Sequence, residues 1–130
     1  MDSGAWIALA LTRDPMHDQA RAIWERNVAS GTRWATSVPV VIETFTFLSS
    51  TVHTDIALAW RASLREVEWL RVLECSNSDL DDAFEYFAIP DLHRLSAVDA
   101  TSFVLMRREG LKLAFSFDVH FGVAGFRYLA

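Results

Sequence analysis

The chain has very little cysteine, no long apolar run and a deficit of positive charge. Its single cysteine, Cys75, excludes an internal disulfide and a cysteine-based zinc site, and favours a reducing compartment. No apolar run reaches the roughly 20 residues needed to span a bilayer, so we expect a soluble cytoplasmic protein without membrane attachment. The formal net charge of −5 excludes a protein that holds nucleic acid through a global basic field.

What is present fits one folded domain. The 130 residues, 52% of them hydrophobic, predict a single domain over residues 1–130 with a substantial core. Apolar patterning predicts strands in TRWATS, LRVLEC and LKLAFSF, and the last of these is typical of a strand buried on both faces. Helical segments separate the strands. This order predicts an α/β sandwich with a parallel sheet.

Several helix starts carry recognisable caps. Asp14 followed by proline predicts the start of the second helix, and Ser78 with Asp81 predicts a capping box in SNSDLDDAF. Ser96 with Asp99 repeats that device in LSAVDATSF. The segment VPVVIETFTFLSS is ambiguous by residue type, and its length favours a helix. In the helix after it, the predicted apolar face consists of Ile56, Leu58, Ala59, Ala62 and Val67.

Four acidic residues lie where a parallel sheet could bring them together. Asp118 directly follows a predicted strand, Asp99 lies in the first turn of the preceding helix, and Glu43 lies within an apolar helix. Asp2 would share their edge of the sheet if a strand preceded it. Such carboxylates repel by about 4 kcal/mol per pair at 4 Å and an effective dielectric near 20. They therefore favour a Mg²⁺ or Mn²⁺ site suited to displacement at phosphorus.

Each acid also has an ordinary structural interpretation. Asp99 fits a capping box, Asp118 fits the cap of a turn, and Asp2 fits a helix cap or a frayed terminus. Glu43 is harder to explain in this way, because an unpaired carboxylate is costly to bury among apolar residues. The pattern of four acids, rather than any single residue, indicates a site.

Three segments resemble PIN-domain ribonucleases, in particular the toxins of VapBC-type toxin–antitoxin pairs. DSGAWIAL is similar to the opening segment of that family, and TSVPVVIETFTFL is similar to the helix that carries its glutamate. LSAVDATSFVLMRREGLKLAFSFDVHF resembles its closing signature, with a helix-borne aspartate, a glycine and an apolar strand that ends in Asp-x-x-Phe. The resemblance covers essentially the whole chain in the expected order.

The resemblance implies a three-layer α/β/α sandwich and metal-dependent cleavage of RNA. Asp2, Asp99 and Asp118 would be the primary ligands of Mg²⁺ or Mn²⁺, and Glu43 would complete the ligand shell or orient the attacking water. Ser3 would hydrogen-bond a carboxylate, a metal-bound water or the scissile phosphate. The resemblance also implies inhibition by a cognate antitoxin protein and formation of a homodimer.

The sequence departs from the family at two places. The family's first strand ends just before its first aspartate, whereas only Met1 precedes Asp2, so we expect a missing central strand and a start codon assigned too late. His120 occupies a position where an acid is frequent, and an ordinary turn histidine is favoured over a functional role. An alternative function is therefore a catalytically impaired module that binds an antitoxin or RNA without cleavage.

Contacts with RNA and protein partners can be predicted only as candidates. Four arginines could contact RNA, although charge complementarity at a helix end is favoured for the last two: Arg33, Arg94, Arg107 and Arg108. Trp6 and Trp34 could stack on bases, but a core position is favoured. An antitoxin groove or dimer surface is predicted around Trp24, Phe45, Phe47 and Trp60.

Overall fold

The computed structural model describes residues 1–130 and contains seven α-helices, four strands and two short 3-10 helices. The α-helices are α1 (Ser3–Ala10), α2 (His17–Ala29), α3 (Val38–Thr51), α4 (Thr54–Ser63), α5 (Asn77–Phe84), α6 (Ala97–Arg108) and α7 (Val119–Val123). The strands are β1 (Trp34–Ser37), β2 (Leu70–Leu73), β3 (Leu113–Ala114) and β4 (Arg127–Tyr128), and the 3-10 helices are Leu64–Glu66 and Glu85–Ala88. No helix combines the length and apolar character needed to cross a membrane.

The strands form two parallel pairs that the first two residues of the chain connect. In the first pair β1 lies beside β2, and in the second β3 lies beside β4. The amino group of Met1 donates to the Ala35 carbonyl at 2.7 Å, and the Asp2 N–H donates to the Phe115 carbonyl at 3.2 Å. The predicted α/β class with parallel strands is confirmed.

A cavity of about 530 Å³ separates the two strand pairs. It is lined mainly by residues 32–37, residues 110–115 and the first two residues of the chain. Met1 lies at its edge, and burial lowers the pKa of the terminal amine to about 6.

The last predicted strand is shorter and less buried than expected. Only Leu113 and Ala114 pair with β4, which the sequence did not predict. Leu113 is 51% exposed, so burial on both faces is wrong for the start of LKLAFSF. The cavity leaves that part of the chain without a neighbour on one side. Phe115 and Ser116 beyond it are buried and lead to the acidic residues.

Aromatic side chains fill the core on both sides of the strands. Trp34 stacks on Trp24 with ring centroids 4.6 Å apart, and Trp6 lies 6.0 Å from the rings of both Trp24 and Trp60. Trp6 and Trp34 are 4% and 5% exposed, so the favoured core position is correct and stacking on RNA is excluded. Trp60 is also buried, and its predicted place on a partner surface is wrong.

Helix α3 resolves the ambiguous segment as a helix. The Ser37 hydroxyl accepts the Val40 N–H at 3.3 Å, and Pro39 lies in the first turn, where its missing N–H has no helical partner to lose. The predicted apolar face of α4 is wrong, because Ile56 and Leu58 are exposed. The helix instead buries Ala57 and Trp60, followed by Leu64 in the next turn.

Two predicted helix caps lie at different residues in the structure. Helix α2 begins at His17, two residues later than expected, because the Asp14 side chain accepts the Met16 N–H and caps a preceding turn instead. The capping box of α5 is formed by Ser76 and Asp79 rather than by Ser78 and Asp81. The local sequence offers Ser-x-x-Asp in both registers, and the ion pair of Asp79 with Arg108 favours the earlier one.

Candidate active site

Asp2 is buried at the start of α1 and cannot be a frayed terminal residue. One carboxylate oxygen accepts the Ala5 N–H at 3.1 Å, so Asp2 caps the helix. The other oxygen accepts a hydrogen bond from the Ser116 hydroxyl. Asp2 is 6% exposed, and this burial raises its pKa above the ordinary value despite the hydrogen bonds that oppose the shift.

Asp99 lies in the first turn of α6, where the Ser96 hydroxyl accepts its N–H at 3.0 Å. The serine half of the predicted capping box is confirmed, but the Ser96 N–H makes no return hydrogen bond to the Asp99 carboxylate. Burial, followed by the negative charges of Asp2 and Asp118, raises the pKa of Asp99 to about 7. Glu43 adds a smaller contribution of the same sign. A proton or a cation is therefore favoured at Asp99 near neutral pH.

Asp118 and His120 complete a tight group with Asp99, in which one ligand atom from each residue lies within 4.8 Å of the others. Asp118 caps α7, and its Oδ1 accepts the His120 N–H at 2.8 Å. The imidazole Nδ1 of His120 also lies 2.8 Å from that oxygen, at an angle that makes no hydrogen bond. His120 therefore lies against the acidic cluster rather than in an isolated turn.

Glu43 enters from α3 and is linked to the cluster through Ser3. The Ser3 hydroxyl donates to a carboxylate oxygen of Glu43, which is half-buried. This contact explains how a charged side chain is accommodated in an apolar helix. Glu43 stands outside the tight group of Asp99, Asp118 and His120, although its charge acts on Asp99.

Ser116 is a residue of the site that the sequence analysis missed. It is 6% exposed and lies two residues before Asp118. Its hydroxyl donates to Asp2 and accepts the Asp118 N–H at 3.0 Å, so one side chain orients two of the acids. The available signal was a lone hydroxyl in the otherwise apolar run AFSF, directly before the aspartate.

The arrangement is suited to a hard divalent cation. After burial, the negative charges of Asp2 and Asp118 are the next causes of the raised pKa of Asp99, and no arginine or lysine is among the groups that oppose it. Carboxylate oxygens are the ligands that Mg²⁺ and Mn²⁺ prefer. The donor set therefore fits the predicted metal, and His120 offers an additional nitrogen beside it.

Two of the four candidate RNA-contacting arginines have structural partners. Arg107 donates to the Tyr86 hydroxyl at 2.9 Å and to the Ala124 carbonyl at 2.5 Å. Arg108 forms an ion pair with Asp79 at 2.7 Å. These contacts support the structural interpretation of both residues and make it more specific than a general charge effect at a helix end.

The other two candidates differ from each other. The guanidinium of Arg33 lies 5.7 Å from the centroid of the Trp69 ring, over its face. Arg94 is exposed and its side chain has no hydrogen-bond or ion-pair partner. Arg94 is therefore the candidate whose charge remains available.

Comparison with known proteins relates this geometry to a family. The PIN domain family matches residues 1–126. The 23S rRNA-specific endonuclease VapC20 of Mycobacterium tuberculosis, found in strains CDC 1551 and H37Rv, is 35% identical over 127 residues, covering 97% of this chain and 93% of the relative. A crystal structure of M. tuberculosis VapC20, described as a sarcin–ricin loop cleaving toxin, superposes with a TM-score of 0.83 at 33% identity. That match covers 96% of this chain and 93% of the other.

Proposed function

Because the chain belongs to the PIN-domain family, we propose that it is a metal-dependent endoribonuclease that acts as the toxin of a toxin–antitoxin pair. The observation that carries the proposal is the close group formed by Asp99 and Asp118, with Asp2 near enough for its charge to act on Asp99, whose pKa is raised to about 7. Carboxylates that repel in this way are a poor choice for stability alone. A cation bound between them would cancel this repulsion, which is the arrangement expected of a metal site.

Each residue of the cluster has a proposed role. Asp2, Asp99 and Asp118 would hold Mg²⁺ or Mn²⁺, with Glu43 completing the ligand shell or orienting water. The bound metal would supply an activated water and neutralise charge that develops at the phosphate. Ser116 would fix the orientation of Asp2, and the contact with Ser3 would do the same for Glu43.

The proposed substrate is structured RNA, specifically the sarcin–ricin loop of 23S rRNA. The M. tuberculosis relatives are described as acting on 23S rRNA and on that loop, and they match this chain over nearly its whole length. The net charge of −5 disfavours strong non-specific binding. Selection would therefore depend on the shape of the RNA and on a few local contacts.

Cleavage of intact ribosomal RNA tests this function. Purified protein would be incubated with ribosomes in Mg²⁺, in Mn²⁺ or in a chelator, and new 5′ ends would be mapped by primer extension. We expect a discrete cut in 23S rRNA that requires metal and is absent with Asp99→Asn. A folded wild-type protein that cuts no RNA in either metal would contradict the proposal and support the alternative, a module that binds without cleavage.

Partners of this toxin would be a cognate antitoxin and a second copy of the chain. Neighbouring helices α3 and α4 expose several apolar side chains that a single chain does not cover: Ile42, Phe47, Ile56 and Leu58. Exposed apolar side chains on two neighbouring helices favour a protein interface. We propose that they form the dimer surface.

Light scattering after size-exclusion chromatography tests the dimer. The purified chain should have twice the 14.7 kDa mass of one copy. Leu58→Glu should shift it to a monomer, whereas Val28→Glu, which changes a similarly exposed side chain on α2, should not. A monomeric wild-type protein would rule out this surface as a dimer interface.

A further inference from the structure

The segment between α5 and α6 carries Arg94 directly after His93, a residue whose backbone contacts the acidic cluster through His120. Its residues Leu92 and Leu95 are buried and hold the segment on the core, while His93 and Arg94 between them are exposed. Arg94 has a backbone φ of +57°, a conformation that is uncommon for a residue other than glycine. The two leucines thus turn the backbone outward at Arg94.

His120 ties this segment to the cluster. Its Nε2 lies 2.6 Å from the His93 carbonyl oxygen, and since a carbonyl can only accept, Nε2 carries the hydrogen. The other ring nitrogen lies 2.8 Å from Oδ1 of Asp118. A single imidazole ring therefore separates the backbone of the residue before Arg94 from a carboxylate of the proposed active site.

Of the four candidate arginines, Arg94 is the one whose side chain makes no contact within the fold. Arg107 and Arg108 are held by partners within the fold, and Arg33 lies over Trp69. An acidic cluster in a chain of net charge −5 repels RNA phosphates. An arginine that is not already paired would offset part of this repulsion. The guanidinium group is well suited to hold a phosphate through paired hydrogen bonds.

We propose that Arg94 contacts a phosphate of the RNA substrate beside the acidic cluster, and that His120 is the positioning residue that holds its segment in place. This inference rests on the proposed ribonuclease function and adds a binding residue to it. It assigns to His120 a task that an acid at that position could not perform in the same way, because a carboxylate cannot donate to the His93 carbonyl.

RNA binding measured in an Asp99→Asn background tests the role of Arg94 without interference from cleavage. The probe is an RNA oligonucleotide with the sequence of the sarcin–ricin loop, titrated at several salt concentrations. Arg94→Gln should weaken binding about 3- to 10-fold at low salt and reduce the slope of log affinity against log salt by about 1. Arg61→Gln, which removes an exposed charge from α4, is the matched control and should leave the slope unchanged.

Variants of His120 test the positioning role in the same assay. His120→Phe keeps a ring but removes the donor to His93, and it should weaken binding only while Arg94 is present. In the Arg94→Gln background its effect on binding should be markedly smaller, because there is no charge left to position. His120→Gln, whose amide can donate to the same carbonyl, should restore part of the affinity.

The possible results distinguish a failure of the proposed Arg94 contact from a failure of the proposed ribonuclease function. If wild-type protein cleaves RNA but Arg94→Gln has the same salt slope as Arg61→Gln, the contact with Arg94 is excluded while the ribonuclease stands. If His120→Phe weakens binding equally with and without Arg94, its positioning role is excluded. If wild-type protein neither binds nor cleaves RNA, the proposed function fails and this inference fails with it.

Discussion

The first turns of α5 and α6 contain the same sequence device in opposite electrical environments. Ser76 and Ser96 each accept the N–H of an aspartate three residues later, at 3.1 and 3.0 Å. The Ser76 N–H, with help from Arg108, lowers the pKa of Asp79 below its usual value. The pKa of Asp99 is raised to about 7 by burial and by neighbouring acids.

The difference between the two aspartates comes from their neighbours and not from their helices. Asp79 has a guanidinium group at 2.7 Å, so its charge is balanced within the fold. Asp99 faces Asp2 and Asp118, which repel it. A capping aspartate is therefore no evidence of function by itself. The absence of a positive partner, together with the presence of other acids, is the basis for proposing Asp99, and not Asp79, as a metal ligand.

The largest expected effect is on RNA cleavage, which should depend on the Asp99 carboxylate and not on that of Asp79. Asp99→Asn should lower metal-dependent RNA cleavage by about a thousandfold or more, because stabilisation by a bound metal ion contributes several kcal/mol. Asp79→Asn, the same chemical change at the equivalent position of α5, should alter cleavage less than about threefold. Initial rates on the sarcin–ricin loop oligonucleotide measure both. Equal losses in the two variants would mean that the Asp99 carboxylate has no role in cleavage that Asp79 lacks.

The pH dependence of stability should also differ between the two aspartates. Since the pKa of Asp99 in the folded state is raised from 3.8 to about 7, the folded state binds more protons than the unfolded state between these values. This group therefore lowers the free energy of unfolding as pH rises through that window, by on the order of 4 kcal/mol in the absence of metal. Asp79 has the opposite sign, and the stability it contributes is lost as pH falls below its ordinary pKa of 3.8.

Urea unfolding in a chelator at pH 4 to 8 measures this difference. Asp99→Asn should remove the part of the decline that Asp99 contributes, leaving the part from the raised pKa of Asp2, and should make the metal-free protein more stable at pH 7. Excess Mg²⁺ or Mn²⁺ should stabilise the wild-type protein at pH 7 but not the variant. If wild-type protein and Asp99→Asn have parallel pH profiles, the carboxylate is not held in a repulsive environment.

Ser116→Ala should lower the rate of RNA cleavage less than Asp99→Asn does. Loss of the hydroxyl removes the hydrogen bonds to Asp2 and Asp118, and we expect a 10- to 100-fold lower kcat with little change in KM. Ser116→Thr retains the hydroxyl and should recover most of the rate. Ser63→Ala, which removes a serine that donates to the Trp60 carbonyl on α4, is a control for a general loss of stability. A change in KM alone would contradict a positioning role.

The smallest expected effect is on protein stability and concerns the ion pair between Asp79 and Arg108. Arg108→Ala removes the ion pair of Asp79 and should lower the free energy of unfolding by about 1 kcal/mol while leaving the salt dependence of RNA binding unchanged. Arg21→Ala, which breaks an exposed pair with Glu25 on α2, should cost less than about 0.5 kcal/mol. A reduced salt slope with Arg108→Ala would instead return Arg108 to the RNA-binding surface.

Local sequence signals predicted most of the elements but misplaced several of their details. The Ser96 cap of α6 is confirmed because no competing cap lies nearby. The cap of α5 was assigned two residues too late, because the contact with Arg108 that favours Ser76 and Asp79 is made by a residue far along the chain. The buried face of α4 was assigned to the wrong residues, because Ala57, Trp60 and Leu64 also recur at helical spacing and only their packing against other parts of the chain shows that this face is buried.

In the candidate site, too, local sequence predicted the acidic residues but not the contacts between distant parts of the chain. The four acids were found from their order along the chain, and the family they indicate is confirmed by the PIN domain match. Their roles as ligands stay predictions. Ser116 and the link from His120 to the Arg94 segment were not found, because a hydrogen bond between Ser116 and Asp2 joins positions 114 residues apart.

The sequence by itself determined the family, the α/β class and the acidic residues, because these depend on residue types and on local periodicity. Tertiary structure alone decided which carboxylate is neutralised, which tryptophans are buried and which arginine keeps a free charge. The physical reason is that burial and Coulomb interactions depend on the distance between atoms in space. Asp79 and Asp99 follow the same local pattern, and only the fold gives one of them a cation and the other two like charges.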